Sequence, residues 1–171
     1  MNSQDALLVG ARWAHDLLNM VTADLTPEQA AWTPPGIANP INAQFAHAIC
    51  AEDAVVQLLL KGVAPLYATT WAGRTGVSDP QWSATYDWAR SVTIELPGLR
   101  QYAAAVAAAT DDYIASLSED DLERILDLTS NGLGRQTVAW AIQALLIAHL
   151  NNMAGEISVL KGLQGAKGYP F

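Results

Sequence analysis

Residues 143–171, QALLIAHLNNMAGEISVLKGLQGAKGYPF, decide the fold, because they begin with the most apolar helix-like stretch of the chain. Apolar residues recur there at spacings of three and four, the pattern of a helix with one face in a core. Gly162 follows the last periodic residues and predicts the end of the helix. The same stretch carries His149 on its apolar face, so this helix holds both core and candidate site.

Three further long helices are predicted upstream from the same spacing. Alanine-rich runs support them, because alanine is the strongest helix former. Shorter turns of helix are expected after Thr26, and from Ser118 through Leu126, where a capping residue precedes proline or acidic residues. No strand pattern is convincing. The four long helices are expected at about residues 3–23, with Ser3 as N-cap, and at about residues 40–60, 97–117 and 135–160.

Residues 62–96 form a long stretch without a helical period, and they are rich in tryptophan and tyrosine. A connection of this length in a small domain is typically a crossover or a functional segment. It would let the second and third helices run parallel. We therefore predict an all-α fold, a four-helix bundle with an up-down-down-up path, in a single domain over residues 1–171. Whether the aromatic residues line a pocket or form an interface stays open.

The composition limits the classes of function. The chain has 171 residues, of which 51% are hydrophobic and 15% charged, and its net charge is -8. This charge opposes binding to nucleic acid or to anionic membranes, because both need a basic patch. No apolar run is long enough to span a bilayer, and no signal-peptide pattern begins the chain. Cys50 is the single cysteine and cannot form an intrachain disulfide, so we expect a soluble, cytoplasmic protein.

Three histidines on predicted helices are the main candidate site residues. His47 and His149 have apolar residues three and four positions away, so each is expected to face the interior. Two inward histidines in one bundle favour a metal or ligand site, although hydrogen-bonded core histidines are the alternative. His15 lies at a matching depth on the first helix. It could enter the cavity of His47 as an extra ligand or remain at its rim.

Further residues lie within reach of these histidines. Cys50, one turn beyond His47, could act as a thiolate ligand or as a small buried hydrophobe. Glu156 could supply a metal ligand or accept a hydrogen bond from an imidazole, or it could bond elsewhere. Met153, Cys50 and Asn152 are predicted to line the pocket. Glu52 and Asp53 are expected to face solvent or a neighbouring helix.

Met153 occupies the position where a histidine would complete an H-x-x-x-H pair with His149. Two imidazoles at that spacing point towards one spot on a helical face. A thioether keeps the bulk of the side chain but is a poor ligand for zinc. The chain also has no G-x-S-x-G motif and no phosphate-binding glycine loop after a strand, so catalytic residues stay unassigned.

Three segments carry a resemblance to a known family. They are INAQFAHAICAED at residues 41–53, LRQYAAAVAAATDDYIASLSEDDLERILDL at residues 99–128, and AGEISVLKGLQGAKGYPF at residues 154–171. With these segments the chain resembles the DinB/YfiT-like family of four-helix bundle proteins, over essentially its whole length.

The resemblance implies a metal site made by one histidine on the second helix and an H-x-x-x-H pair on the fourth. His47 matches the first of these ligands, His149 the second, and Met153 stands at the third. Characterised members include thiol-dependent S-transferases and a mycothiol-dependent maleylpyruvate isomerase. The implied cofactors are therefore a divalent metal, zinc or nickel, and a low-molecular-weight thiol. Family members often form homodimers, so a homodimer is expected here.

Two functions follow from this departure, beside a structural dimer in which the pocket has no role. In the first, the metal site is degenerate and the bundle binds a small molecule near His47, His149 and Met153, with weak or no metal-dependent activity. In the second, another residue, His15 or Glu156, completes the ligand set of an active thiol-using transferase or hydrolase. Catalytic zinc sites usually keep three protein ligands, so the first is favoured. Whether the protein is an enzyme stays open.

Overall fold

Four long helical segments enclose the core in the computed structural model, which describes residues 2–171. The α-helices are α1 (Ser3–Thr22), α2 (Pro27–Ala31), α3 (Ile41–Ala54), α4 (Tyr86–Ser91), α5 (Leu96–Ser116), α6 (Glu119–Glu123), α7 (Val138–Ala141) and α8 (His149–Leu163). Two antiparallel strands, β1 (Ile125–Leu128) and β2 (Gly134–Thr137), form a hairpin. Short 3-10 turns lie at Leu66–Ala68 and Thr129–Asn131. The chain is mostly helical, as predicted.

Side-chain caps fix where several helices begin. The N-cap of α1 is Asn2 and not Ser3, since the Oδ1 atom of Asn2 accepts a hydrogen bond from the backbone N–H of Asp5 at 2.7 Å. Both residues are good caps, so the sequence alone could not choose between them. Thr26 and Ser118 are confirmed as the caps of α2 and α6, each in a capping box.

The long helices pack around one core. Helices α1 and α3 each contact both α5 and α8. The side chain of Gln4 donates to the carbonyl of Ile114 at 3.1 Å, and Arg100 donates to the carbonyl of Thr22 at 2.9 Å, so α1 and α5 run in opposite directions. Helices α3 and α8 are also in contact, and the side chain of Gln44 on α3 bonds to Glu156 on α8. Their contact positions the candidate site.

The hairpin is absent from the prediction. Leu126 and Leu128 of β1 are buried, whereas the side chains between and before them are exposed. Strands of four residues are too short for this alternation to stand out in the sequence. As a consequence α6 ends at Glu123 and not at Leu126. The last helical segment begins at Val138 and not near Arg135, with Thr137 as its N-cap.

Two π-helical turns interrupt the helices that carry the site. Val55–Leu60 continues α3, and Ile142–Ala148 joins α7 to α8. A π turn spans five residues per hydrogen bond instead of four, so it widens the helix and shifts the side chains that follow. Such turns occur often at functional sites. Both lie in segments predicted as ordinary helix, because their apolar spacing contains no mark of the wider turn.

The crossover between α3 and α5 is held against the core by specific contacts. Val77 and Ile94 form an isolated antiparallel bridge, which pins the segment next to the start of α5. Gly76 has a φ of 71° and lies against the start of α5. A Cβ atom at this position would lie 2.3 Å from the backbone nitrogen of Leu99, so the position requires glycine. The indole N–H of Trp88 donates to the carbonyl of Asp79 at 2.8 Å. The crossover is therefore an ordered wall of the fold.

Within residues 2–171, no helix combines the length and the apolar character needed to cross a membrane.

Candidate functional site

A pair of histidines connects α3 to α8. The Nε2 atoms of His47 and His149 lie 3.1 Å apart, and the two rings meet edge to face with centroids 4.9 Å apart. At this distance one Nε2–H group donates a hydrogen bond to the other Nε2 atom. The structure thus brings together the two histidines that were predicted to face inward. We call them the histidine pair.

A cavity of about 670 Å³ opens beside the histidine pair, and we call it the main cavity. Side chains of both π-helical turns line it, including Leu58 and Leu145. Trp82 of the crossover and Leu133 of the hairpin turn form two further parts of its wall. Among the described residues that line the cavity there is no Asp, Glu, Lys or Arg. The histidine pair is therefore the main polar feature of an apolar chamber.

Burial keeps both imidazoles uncharged at neutral pH. It lowers the pKa of His149 to about 4, and the neighbouring His47 adds to this effect. It lowers the pKa of His47 as well. The Nδ1 atoms of both rings are buried and have no hydrogen-bond partner among the described residues. The two rings thus share one hydrogen bond at their Nε2 atoms, and their Nδ1 atoms are enclosed by protein.

His15 lies in a different cluster. Its Nε2 atom is 2.7 Å from the Oε1 atom of Glu52, a carboxylate that is only 1% exposed. Thr110 of α5 donates to the same oxygen at 2.6 Å. Asp111 approaches the Nδ1 atom of His15 at 4.0 Å. His15 therefore connects α1 to α3 and α5, and it does not line the main cavity.

Cys50 and Asp53 belong to the core beneath the crossover. Both side chains are fully buried. Asp53 accepts hydrogen bonds from the backbone N–H groups of Leu66 and Tyr67, both at 3.0 Å, and from the hydroxyl of Tyr102 at 2.6 Å. Burial, with the charge of Asp53 as a smaller contribution, raises the pKa of the Cys50 thiol to about 12. Cys50 is consequently a protonated thiol at neutral pH, the form that suits a buried hydrophobe.

Met153 opens onto a second cavity, of about 880 Å³, which also includes Asn152 and Glu156. The side-chain amide of Gln44 donates a hydrogen bond to the carboxylate of Glu156. Burial raises the pKa of Glu156 above its usual range. The side chains predicted to surround one pocket are thus divided. Only His47 and His149 line the main cavity, whereas Met153, Asn152 and Glu156 line the second cavity.

The donor set does not fit a catalytic metal centre. Within residues 2–171, no three His, Cys, Asp or Glu side chains are grouped so that they could hold a metal ion. A catalytic zinc ion usually has three protein ligands, and a ligating histidine normally donates its other ring N–H to an acceptor. The Nδ1 atom of His149 lacks such an acceptor among the described residues. The residues fit a hydrogen-bonded imidazole pair beside a cavity.

Several wall residues of the main cavity were not singled out from the sequence. Asn131 and Leu133 belong to the turn of the hairpin, which has no clear signal in the sequence. Leu58 and Leu145 belong to the π-helical turns. Trp82 stood out only as part of an aromatic segment. The sequence contains one signal that Trp82 belongs to a site. It lies in a long connection between helices, and such connections often carry function.

The cluster around His15 predicts a pH-dependent contribution to stability. Burial alone would lower the pKa of His15, but the hydrogen bond and charge of Glu52, aided by Asp111 and Asp16, outweigh burial and raise it. A raised pKa means that the stabilising contribution is complete below the unfolded value of 6.5 and is lost as pH rises through the folded value. We expect His15→Gln to lower the free energy of unfolding by about 1 to 3 kcal/mol below pH 6.

Urea unfolding of the wild type and of His15→Gln at several pH values between 5 and 9 measures this contribution. The difference between the two proteins should shrink as pH rises, because all other titrating groups are common to both. A difference that stays constant, or grows with pH, would contradict a charged His15 in the folded protein.

Comparison with known proteins agrees with this fold. The family model of the DinB superfamily matches residues 11–157. No curated protein matches the chain. A solved structure of a conserved protein from Enterococcus faecalis is similar, with a TM-score of 0.80 and 20% identity over 95% of this chain and 97% of the other. At this identity the likeness shows the fold alone. Since the family model covers most of its length, the chain belongs to the DinB superfamily.

Proposed function

We propose that this protein binds a small, mostly apolar molecule in the main cavity, and that the histidine pair is the polar contact of that molecule. The observation that carries the proposal is the uncharged chamber of about 670 Å³ with two neutral imidazoles at its wall. Cavities of this size and character are typical of small-molecule sites, which combine an apolar lining with few polar groups.

The construction of the walls supports the proposal. Both π-helical turns contribute side chains to the same cavity, although they lie far apart in the sequence. Leu58 is 53% exposed and Trp82 is 49% exposed, so large apolar side chains are left in contact with solvent at this cavity. Exposed apolar surface that is concentrated at a cavity favours a binding role.

A fluorescence titration with N-phenyl-1-naphthylamine, an uncharged apolar probe, tests the proposal. We expect saturable binding by the wild type, with a Kd of about 1 to 10 µM. Ala144 lines the cavity, so Ala144→Phe should fill part of it and weaken binding about tenfold. Ala104→Phe is the matched control, because Ala104 lies on the exposed face of α5.

Two results would contradict the proposal. One is the absence of saturable binding by the folded wild type. The other is equal affinity of Ala144→Phe and Ala104→Phe, with both variants folded by circular dichroism.

A divalent-metal, thiol-using transferase or hydrolase remains the second candidate function. The observation that favours it is the convergence of two Nε2 atoms at 3.1 Å. Two imidazoles alone provide weak metal binding, so this candidate requires a further ligand. Neither His15, bonded to Glu52, nor Glu156, bonded to Gln44, contacts the histidine pair in its present arrangement.

The order and direction of the four long helices are the subject of a second proposal. We propose that the four long helices follow an up-down-down-up path, which the opposed directions of α1 and α5 support. The homodimer and the cytoplasmic location predicted from the sequence remain predictions.

A further inference from the structure

We infer that the main cavity selects an uncharged molecule with an apolar body of about ten carbons and one hydroxyl group, and that the hydroxyl bonds to the histidine pair. A long-chain alcohol represents this class. The inference rests on the proposed function, because it names the chemistry of the molecule that the same cavity would bind.

The lining of the cavity excludes a charged head group. A buried carboxylate or ammonium group needs an opposite charge or several strong hydrogen bonds to replace its water. The described residues that line the main cavity include no charged side chain. The chain also carries a net charge of -8, which disfavours anions over the whole surface. An uncharged ligand avoids these desolvation costs.

The hydrogen bonding of the histidine pair favours a hydroxyl group. Two neutral imidazoles together have two N–H donors and two lone-pair acceptors. The contact between the Nε2 atoms uses one donor and one acceptor, and the two Nδ1 atoms have no partner. Both Nδ1 atoms are enclosed by protein, so a molecule in the cavity would meet the pair at its Nε2 atoms, of which one carries a proton and the other a lone pair. A hydroxyl group can accept from the first and donate to the second in place of their mutual contact, whereas an ether or a hydrocarbon cannot donate.

The volume of the cavity admits an apolar body of this size. A space of about 670 Å³ equals roughly 20 water molecules at their liquid volume of about 30 Å³ each. A body of about ten carbon atoms with its head group therefore fits within the cavity, and the volume sets an upper limit on larger ligands.

Competition against bound N-phenyl-1-naphthylamine, at pH 7.5 and below micellar concentrations, tests the inference with three ten-carbon ligands. These are 1-decanol, decanoate and decylammonium, which differ only in the head group. We expect 1-decanol to displace the probe at a concentration at least about tenfold lower than either ion. Equal or tighter binding of decanoate or decylammonium would overturn the uncharged class.

The outcomes separate this inference from the proposed function. If the probe binds and decanoate is preferred, the cavity still binds apolar molecules and only the ligand class is wrong. If the probe binds and none of the three ligands displaces it, the ten-carbon class is wrong. If the probe itself does not bind, the proposed function fails first.

A variant series tests the role of the histidine pair. His149→Phe keeps a flat ring but removes both nitrogen atoms, so we expect it to weaken 1-decanol about tenfold and the probe by less than about twofold. His15→Gln serves as the control because His15 lies outside the main cavity. An unchanged affinity for 1-decanol in a folded His149→Phe variant would overturn the hydroxyl contact. If that variant does not fold, the competition with the three ligands still decides the class.

Discussion

Replacing Met153 with histidine should raise the affinity for Zn²⁺ by about 100-fold or more, because a third imidazole would join two that already converge. The Nε2 atoms of His47 and His149 lie 3.1 Å apart, a separation that two ligands of one metal ion can adopt. Met153 lines the second cavity, but position 153 is one helical turn from position 149, so a histidine there would lie next to His149. The substitution restores the H-x-x-x-H pattern that the family resemblance implies.

Met153→Leu is the matched control, since it keeps an apolar side chain of similar volume. Metal content should be measured on protein purified without an affinity tag, and affinity by competition with a chelator. Near-stoichiometric zinc or nickel in the wild type would contradict the loss of the metal site. Equal affinities of Met153→His and Met153→Leu would show that positions 149 and 153 do not form one site with His47.

Removing the carboxylate of Asp53 should cause the largest loss of stability among the substitutions considered. Its side chain is fully buried and accepts hydrogen bonds from Leu66, Tyr67 and Tyr102. In Asp53→Ala these three donors lose their acceptor within the core. The loss of the bonds from Leu66 and Tyr67 also releases the start of the crossover. We expect the free energy of unfolding to fall by about 3 to 5 kcal/mol.

Urea unfolding measures this loss, and two variants calibrate it. Asp53→Asn retains one carbonyl acceptor and should lose less than Asp53→Ala. Asp112→Ala removes an exposed carboxylate of α5 and should change stability by less than about 0.5 kcal/mol. A loss below about 1 kcal/mol for Asp53→Ala would mean that these hydrogen bonds do not anchor the crossover.

The helices could be predicted because their signals are local. Apolar spacing marks α1, α3, α5 and the last helical segment over many residues, and Thr26 and Ser118 act as caps through bonds within one turn. The hairpin of β1 and β2 could not, because its stability comes from pairing and from the burial of Leu126 and Leu128. The π-helical turns were also missed, since tertiary packing and not composition selects them.

The candidate site, like the fold, could be predicted from the sequence only in part. The apolar neighbours of His47 and His149 indicate that both face inward, and the structure places them in contact. The surroundings of His15 were open, because depth along a helix does not tell which side of α3 it meets. Glu52, five residues after His47, lies on another side of that helix and binds His15. The rotation of α3 about its own axis, which packing sets, determines that Glu52 and not His47 faces His15.

The most direct test is an NMR titration of the wild type with 1-decanol, observed at the imidazole resonances. The chain has three histidines, of which His47 and His149 line the main cavity and His15 does not. We predict that the resonances of His47 and His149 shift in a saturable manner while those of His15 stay unchanged. Saturable binding without a change at His47 and His149 would contradict a ligand site at the histidine pair, and the absence of binding would contradict the ligand class.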